Sequence, residues 1–324
     1  MRLRTIFLSC MLLAASAAQA QAAPQDANQL LAPAQKALAA KDYARAHALY
    51  ARHAATTGLA QFNLGLFERE GWGRKPDPVA ACAWFDKAAR AHVPAAQQFL
   101  GDCLARGIGR AVDGPAAVAW YRKAADGGVA YAACSAGELL IAGAIVPKDV
   151  HQGLTLCAGA AQADSTPAML KLAHYYRQGG AVPQDLRLAR YWYDQAAQRH
   201  SHEAQFWLGM MLGEGQGGPA DPAGARFWLE HAAMEGYAPA YLPTAILYAN
   251  APVDPATGAL TPDDLSKVYM WNSAARGSTG NPAQQAEIAR IDALVLAVMP
   301  ASWKAELDRR VAAHLGAHPA RPPR

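Results

Sequence analysis

The chain has 324 residues, 52% hydrophobic and 17% charged, with a formal net charge of +4. Eight Trp, twelve Tyr and seven Phe, set in that apolar background, exclude a disordered chain. Nearly one residue in four is alanine and Val, Ile and Thr are sparse, which excludes a large β-sheet protein and favours closely packed helices.

Residues 1–20 read as a cleavable export signal. Arg2 and Arg4 form a positive start, Ile6 to Ala15 a short apolar run, and Ala18-Gln19-Ala20 the small-x-small cleavage site, with cleavage expected after Ala20. The run is shorter than the roughly 20 residues that span a bilayer. Cys10 lies inside it, too early for a lipoprotein cleavage site. No later segment is apolar for long enough to cross, so the mature chain is expected to lack an integral membrane segment and to reside in the periplasm or outside the cell. Cleavage takes two of 30 basic residues and none of 26 acidic ones, leaving +2. No basic stripe follows, so no nucleic-acid partner is expected.

Residues 28–57 read as a first helix pair, with Asp42-Tyr43 at its turn and Ala54-Ala55 near its end. From residue 58 a repeat takes over. An Ala-Ala pair recurs at Ala88, Ala124, Ala160, Ala196 and Ala232, every 36 residues, and again at Ala274 after 42. An aromatic stands four residues earlier at Trp84, Trp120, Trp192 and Trp228, with Leu156 in the middle unit. Glycine recurs at Gly71, Gly107, Gly143, Gly179 and Gly215, and aspartate at Asp77, Asp113, Asp149, Asp185, Asp221 and Asp263. Leu-Gly recurs at Leu64, Leu100 and Leu208.

Each column suits a helix–turn–helix unit. The first helix runs from Gly58 to Glu70 with Ala60, Leu64 and Phe67 on one face, and Gly65 admits a close partner helix. Gly71 stands where a left-handed C-cap belongs. Asp77 is the N-cap of the second helix and Pro78 its first residue, where the missing N–H is harmless. The second helix is expected to bury Ala81, Trp84, Phe85 and Ala88. Pro282–Val298 and Ala301–Leu315 read as closing helices, within a capping segment 278–315 that covers the last apolar face. Residues 316–324 are expected to form a disordered tail.

The pattern Leu100-Gly101, Gly107-Ile108-Gly109, Asp113, Trp120-Tyr121-Arg122-Lys123-Ala124-Ala125 resembles the Sel1-like repeat, a relative of the tetratricopeptide repeat. The resemblance covers six units over 58–277. It implies an all-α fold, an α-solenoid superhelix of helix–turn–helix repeats, with 28–57 as a tetratricopeptide-like start. The third unit departs, with Ala136-Gly137 and Leu156-Cys157, and so does the sixth, with Thr244-Ala245 and an insertion around Pro252 to Pro262.

Four cysteines remain after cleavage: Cys82, Cys103, Cys134 and Cys157. In an exported chain they are candidates for two disulfides, Cys134–Cys157 within one repeat and Cys82–Cys103 between adjacent repeats. The alternative is four small buried hydrophobes. Some exported members of the family this chain resembles are cysteine-rich and braced by cysteines eight apart, a spacing absent here.

No H-E-x-x-H, G-x-S-x-G, P-loop or Cys-x-x-Cys motif occurs. The Gly-x-Gly pairs follow helices and read as turns, not phosphate loops. His200-Ser201-His202-Glu203 falls at an inter-repeat turn without a distant third ligand, so no metal and no cofactor is expected. What such a surface can do is bind. In tetratricopeptide-like solenoids the first helices line a concave groove, and the offsets facing it carry Arg69, Gln98, Asp102, Glu138, His174, Arg177, Phe206 and Met210. The resemblance thus implies a non-enzymatic scaffold for a protein or peptide partner. The alternative is a β-lactam-binding or hydrolysing enzyme, as suggested for cysteine-rich relatives. A Ser-x-x-Lys motif would favour that, whereas Ser266 is followed directly by Lys267.

Overall fold

Alanine-rich segments bounded by aspartate at one end and glycine at the other set the fold. The computed structural model describes residues 27–318, and these contain sixteen α-helices, two short 3₁₀ turns and no strand. The expected export signal, residues 1–20, lies outside the described residues. Two compact units divide the chain, Met1–Ala91 and His92–Arg324.

The first unit holds α1 (Ala27–Ala39), α2 (Tyr43–His53), α3 (Gly58–Glu70) and α4 (Pro78–Arg90). Asp42 caps α2 by accepting from the Arg45 N–H, and Asp77 caps α4 by accepting from Val79 and Ala80. Such a cap contributes about 1 kcal/mol. Gly71 ends α3 at φ 68°, ψ 35°, the left-handed region that glycine enters without a Cβ clash. The core centres on Phe67, whose ring meets the edges of Tyr50 and Trp72 at 6.0 and 5.2 Å.

The second unit continues with α5 (Pro94–Arg106), α6 (Gly114–Asp126), α7 (Ala130–Ala142), α8 (Val150–Gln162), α9 (Thr166–Gln178), α10 (Leu186–Ala197), α11 (His202–Glu214) and α12 (Pro222–Met234). A 3₁₀ turn at Ala238–Ala240 leads into α13 (Tyr241–Ala249), followed by α14 (Pro262–Ala275) and α15 (Pro282–Val298). A second 3₁₀ turn, Ala301–Trp303, leads into α16 (Lys304–Ala317). Asp113, Asp149, Asp185 and Asp221 each cap the second helix of a pair. In the sixth unit the cap is Thr261, and Asp263 lies inside the first turn of α14. The insertion shifts the start of that helix upstream of the aspartate column.

The tryptophan column is not core, contrary to expectation. Trp120, Trp192 and Trp228 are half-buried, as is Trp84 in the first unit. The buried position is one residue later: Phe85, Tyr121, Cys157, Tyr193, Leu229 and Trp271, none more than 4% exposed. In α3–α4, α5–α6 and α11–α12 the cause is the Leu-Gly column on the partner helix. A Cβ on Gly101 would lie 2.5 Å from the Tyr121 ring, and a Cβ on Gly65 would lie 2.5 Å from Phe85. The missing side chain admits the ring. One residue earlier on the helix points about 100° away, so the indole lies along the rim. There Lys123 sits 4.2 Å above the Trp120 ring, and Lys87 repeats the contact 4.3 Å from Trp84.

A sixth column escaped the sequence reading. The turn after each second helix is left-handed at His92, Gly128, Asp164, His200 and Gly236, spaced by 36. The closing segment also differs from expectation. Its last helix, α16, runs to Ala317, so Gly316 is helical and not part of a tail; residues 319–324 lie outside the described residues.

Candidate functional site

Seven of the eight candidate groove residues fall in the second unit, on α5, α7, α9 and α11. Arg69 is the exception: it ends α3 in the first unit, where it pairs with its neighbour Glu70 at 2.6 Å. Gln98, Asp102, Glu138, His174, Arg177, Phe206 and Met210 are all half-buried. They are neither free surface nor core, and cross-linking between helices explains why.

On α5, Gln98 donates to the Ser135 hydroxyl of α7 at 3.0 Å. Asp102 accepts from the Tyr121 hydroxyl at 2.7 Å. Burial, with Asp102 beside it, pushes the Tyr121 phenol far up and keeps it a donor. On α7, Glu138 accepts from Tyr131 at 3.1 Å and pairs with Lys171 of α9 at 2.7 Å. Phe206 on α11 packs against Tyr237 with ring centres 5.7 Å apart.

His174 and Arg177 on α9 join one relay. The Arg177 Nε–H donates to the Tyr193 hydroxyl at 3.0 Å, and that hydroxyl lies 2.8 Å from His174 Nδ1. His174 Nε2 lies 3.0 Å from Glu203 on α11. An arginine nitrogen can only donate. Tyr193 therefore accepts from it, and its own proton is left free for Nδ1. In the neutral imidazole, the form that burial favours, Nδ1 accepts from Tyr193 and Nε2–H donates to Glu203. Burial holds His174 below the usual histidine value, against the raising effect of Glu203. Burial also pushes the Tyr193 phenol up to about 12. The Arg177 guanidinium stacks 3.8 Å above the Trp207 ring.

The sequence reading therefore found three columns of the face, those of Asp102, Gln98 and Arg177, and missed the two that carry their partners. Lys171 and Trp207 follow Ser135 at a spacing of 36, and Tyr131 and Glu203 lie four residues before Ser135 and Trp207. The i, i+4 relation within each first helix was the available signal. Tyr193 carried no such signal, because it belongs to a second helix.

Cys134 and Cys157 are joined in a disulfide between α7 and α8, with Cα atoms 4.0 Å apart. Cys82 and Cys103 are buried in α4 and α5, in different units. In the His200-Ser201-His202-Glu203 run, Ser201 caps α11 and Glu203 turns to His174. No group of three or more metal-ligating side chains comes together among the described residues. No helix among them is long and apolar enough to cross a membrane. On the second helices, Tyr191 and Phe227 are more than half exposed, one repeat apart.

The profile of the Sel1 repeat matches residues 58–92, 94–129, 166–201 and 202–237. Among solved structures, a Sel1 repeat protein from Oxalobacter formigenes is 28% identical over 77% of this chain and 100% of its own, with a TM-score of 0.61. The antigen c5321, described as protective, present in uropathogenic Escherichia coli strains and displaying an SLR fold, is 22% identical over 89% of this chain and 69% of its own, with a TM-score of 0.57. That second likeness is one of fold alone. No curated protein matches the chain.

Proposed function

The chain is a Sel1-repeat protein, and on that premise we propose that it is a non-enzymatic scaffold that binds a protein or peptide along the first-helix face of the second unit, in the periplasm or outside the cell. Sel1 repeats typically serve as protein-interaction scaffolds. The observation that carries the reading is the half-buried set Gln98, Glu138, Lys171, His174, Arg177 and Phe206, held in fixed orientation by bonds between successive helices. Pre-ordered side chains lose little entropy when a partner arrives. Aromatics, Met and Arg are the residues enriched at protein interfaces. The face mixes the acids Asp102, Glu138 and Glu203 with the bases Lys171 and Arg177, which suits a polypeptide and not a phosphate backbone. The export reading is supported by Arg2, Arg4 and Ala18-Gln19-Ala20, and the Cys134–Cys157 bridge suits an oxidising compartment.

A photo-reactive phenylalanine placed at position 206, and separately at 227, tests this reading in cells. A discrete cross-linked partner from 206 and none from 227 is expected. No product from 206, or equal products from both, would reject the face. The same purified chain should begin at Gln21, and an intact Met1 would reject export.

A further inference from the structure

Arg177 differs from the other cation on its helix. Lys171 is paired with Glu138. Arg177 has no carboxylate partner among the described residues; its contacts there are the Tyr193 hydroxyl and the Trp207 ring. Those two contacts immobilise the guanidinium. Stacking on Trp207 fixes its plane, and the Nε–Tyr193 bond fixes its rotation within that plane. Tyr193 is in turn held by His174, and His174 by Glu203. With Nε taken, the Nη pair remains as a two-pronged donor edge, which matches the two oxygens of a carboxylate. Phe206 and Met210, half-buried on α11 beside Trp207, supply apolar contact for the neighbouring part of a ligand.

We propose that Arg177 is the docking point for an acidic side chain of the partner, an Asp or Glu in a peptide segment laid along the first-helix face. The inference rests on the interaction-face reading above and adds the chemistry of the partner. Charge complementarity selects this occupant: an immobilised, carboxylate-free arginine on an aromatic platform favours a planar anion, and a lysine-bearing segment would meet repulsion there. The relay defines the role of Tyr193. It is a positioning residue, because it touches Arg177 and not the ligand.

The test selects binders from a phage-displayed random dodecapeptide library on the mature chain. Enrichment of Asp or Glu at one position is expected, and the enrichment should vanish on Arg177→Gln. For a synthetic selected peptide, replacing that Asp by Asn and replacing Arg177 by Gln should each weaken binding tenfold or more, and the two together no more than either alone. Tyr193→Phe, which keeps the charge and frees the guanidinium, should weaken acidic peptides and leave neutral peptides unaffected. Additive losses, or binders without acidic enrichment, would overturn the proposal while leaving the face intact. A library that yields no binder would overturn the face itself. Should Arg177→Gln unfold, the Asp→Asn peptide and Arg177→Lys decide the matter, since lysine keeps the charge and loses the fork; equal binding by both peptides to the wild-type chain overturns the proposal.

Discussion

The α7–α8 and α9–α10 pairs share one period but close their seams differently. In α7–α8 the seam holds no aromatic. Cβ atoms added at Gly137 or Gly153 would each collide with the other helix, including its backbone, and the Cys134–Cys157 disulfide ties the two together. In α9–α10, Ala173 replaces the glycine of the Leu-Gly column, and the fully buried Tyr193 fills the seam. Its hydroxyl reaches through to the first-helix face and meets both His174 and Arg177. One seam is closed covalently and sends no polar group outward. The other is closed by a ring whose polar end reaches the first-helix face. A single column, Cys157 in one pair and Tyr193 in the other, therefore decides whether the seam sends a polar group to that face.

The comparison can be broken most forcefully at Tyr193. Tyr193→Ala removes a buried ring and leaves the relay without its middle member; a cost of about 3–5 kcal/mol is expected from urea unfolding, in line with large aromatic truncations. Tyr193→Phe should cost about 1 kcal/mol for the lost hydrogen bonds. If the two variants cost the same, the hydroxyl and not the ring holds the seam. Replacing both Cys134 and Cys157 by alanine should cost about 3 kcal/mol for a closed loop of this size, with peptide affinity unchanged. A loss of affinity as large as that of Arg177→Gln would show that the covalent seam also shapes the face.

Trp120→Ala sharpens the contrast between core and rim. A buried tryptophan would cost about 3–5 kcal/mol, but a half-buried one with a lysine above it should cost about 1–2 kcal/mol. Tyr121→Ala, at the core position beside it, should exceed that clearly.

The smallest effect is a pH dependence. The fold holds His174 and His314 below the usual histidine value, in both cases chiefly through burial. The neutral ring is thus the form the fold prefers. Its contribution is complete above the unfolded value of about 6.5 and is lost as pH falls from there to the lowered folded value. Around His174 the charged groups are Glu203, Arg177 and Lys171. Unfolding midpoints should drop between pH 7 and 5, and the drop should be shallower in His174→Asn. A midpoint that rises on acidification, by more in the wild type than in the variant, would mean that Glu203 outweighs burial.

Much of this protein was legible because a repeat writes the same physics several times. The 36-residue spacing, the aspartate caps at Asp113 to Asp221 and the left-handed glycines at Gly107 and Gly215 are local properties, set by a few consecutive residues, and a linear chain displays them directly. Gly65 and Gly101 could be assigned to close helix approach on the same grounds. The face of α5 to α11 was half legible: the columns of Gln98 and Asp102 can be read from the first helices, whereas those of Tyr131 and Ser135, which supply their partners, were not singled out. What tertiary structure alone decided is which of two adjacent aromatics is buried, and which polar groups meet. Trp120 and Tyr121 differ by one position on a helix, and the choice between them depends on where the partner helix lacks a side chain, at Gly101. Arg177, Tyr193, His174 and Glu203 come from three helices, and their partnership depends on how far apart those helices pack. Periodicity specifies the direction of each side chain around its own axis; the distances between axes emerge only when the helices are stacked and their seams filled.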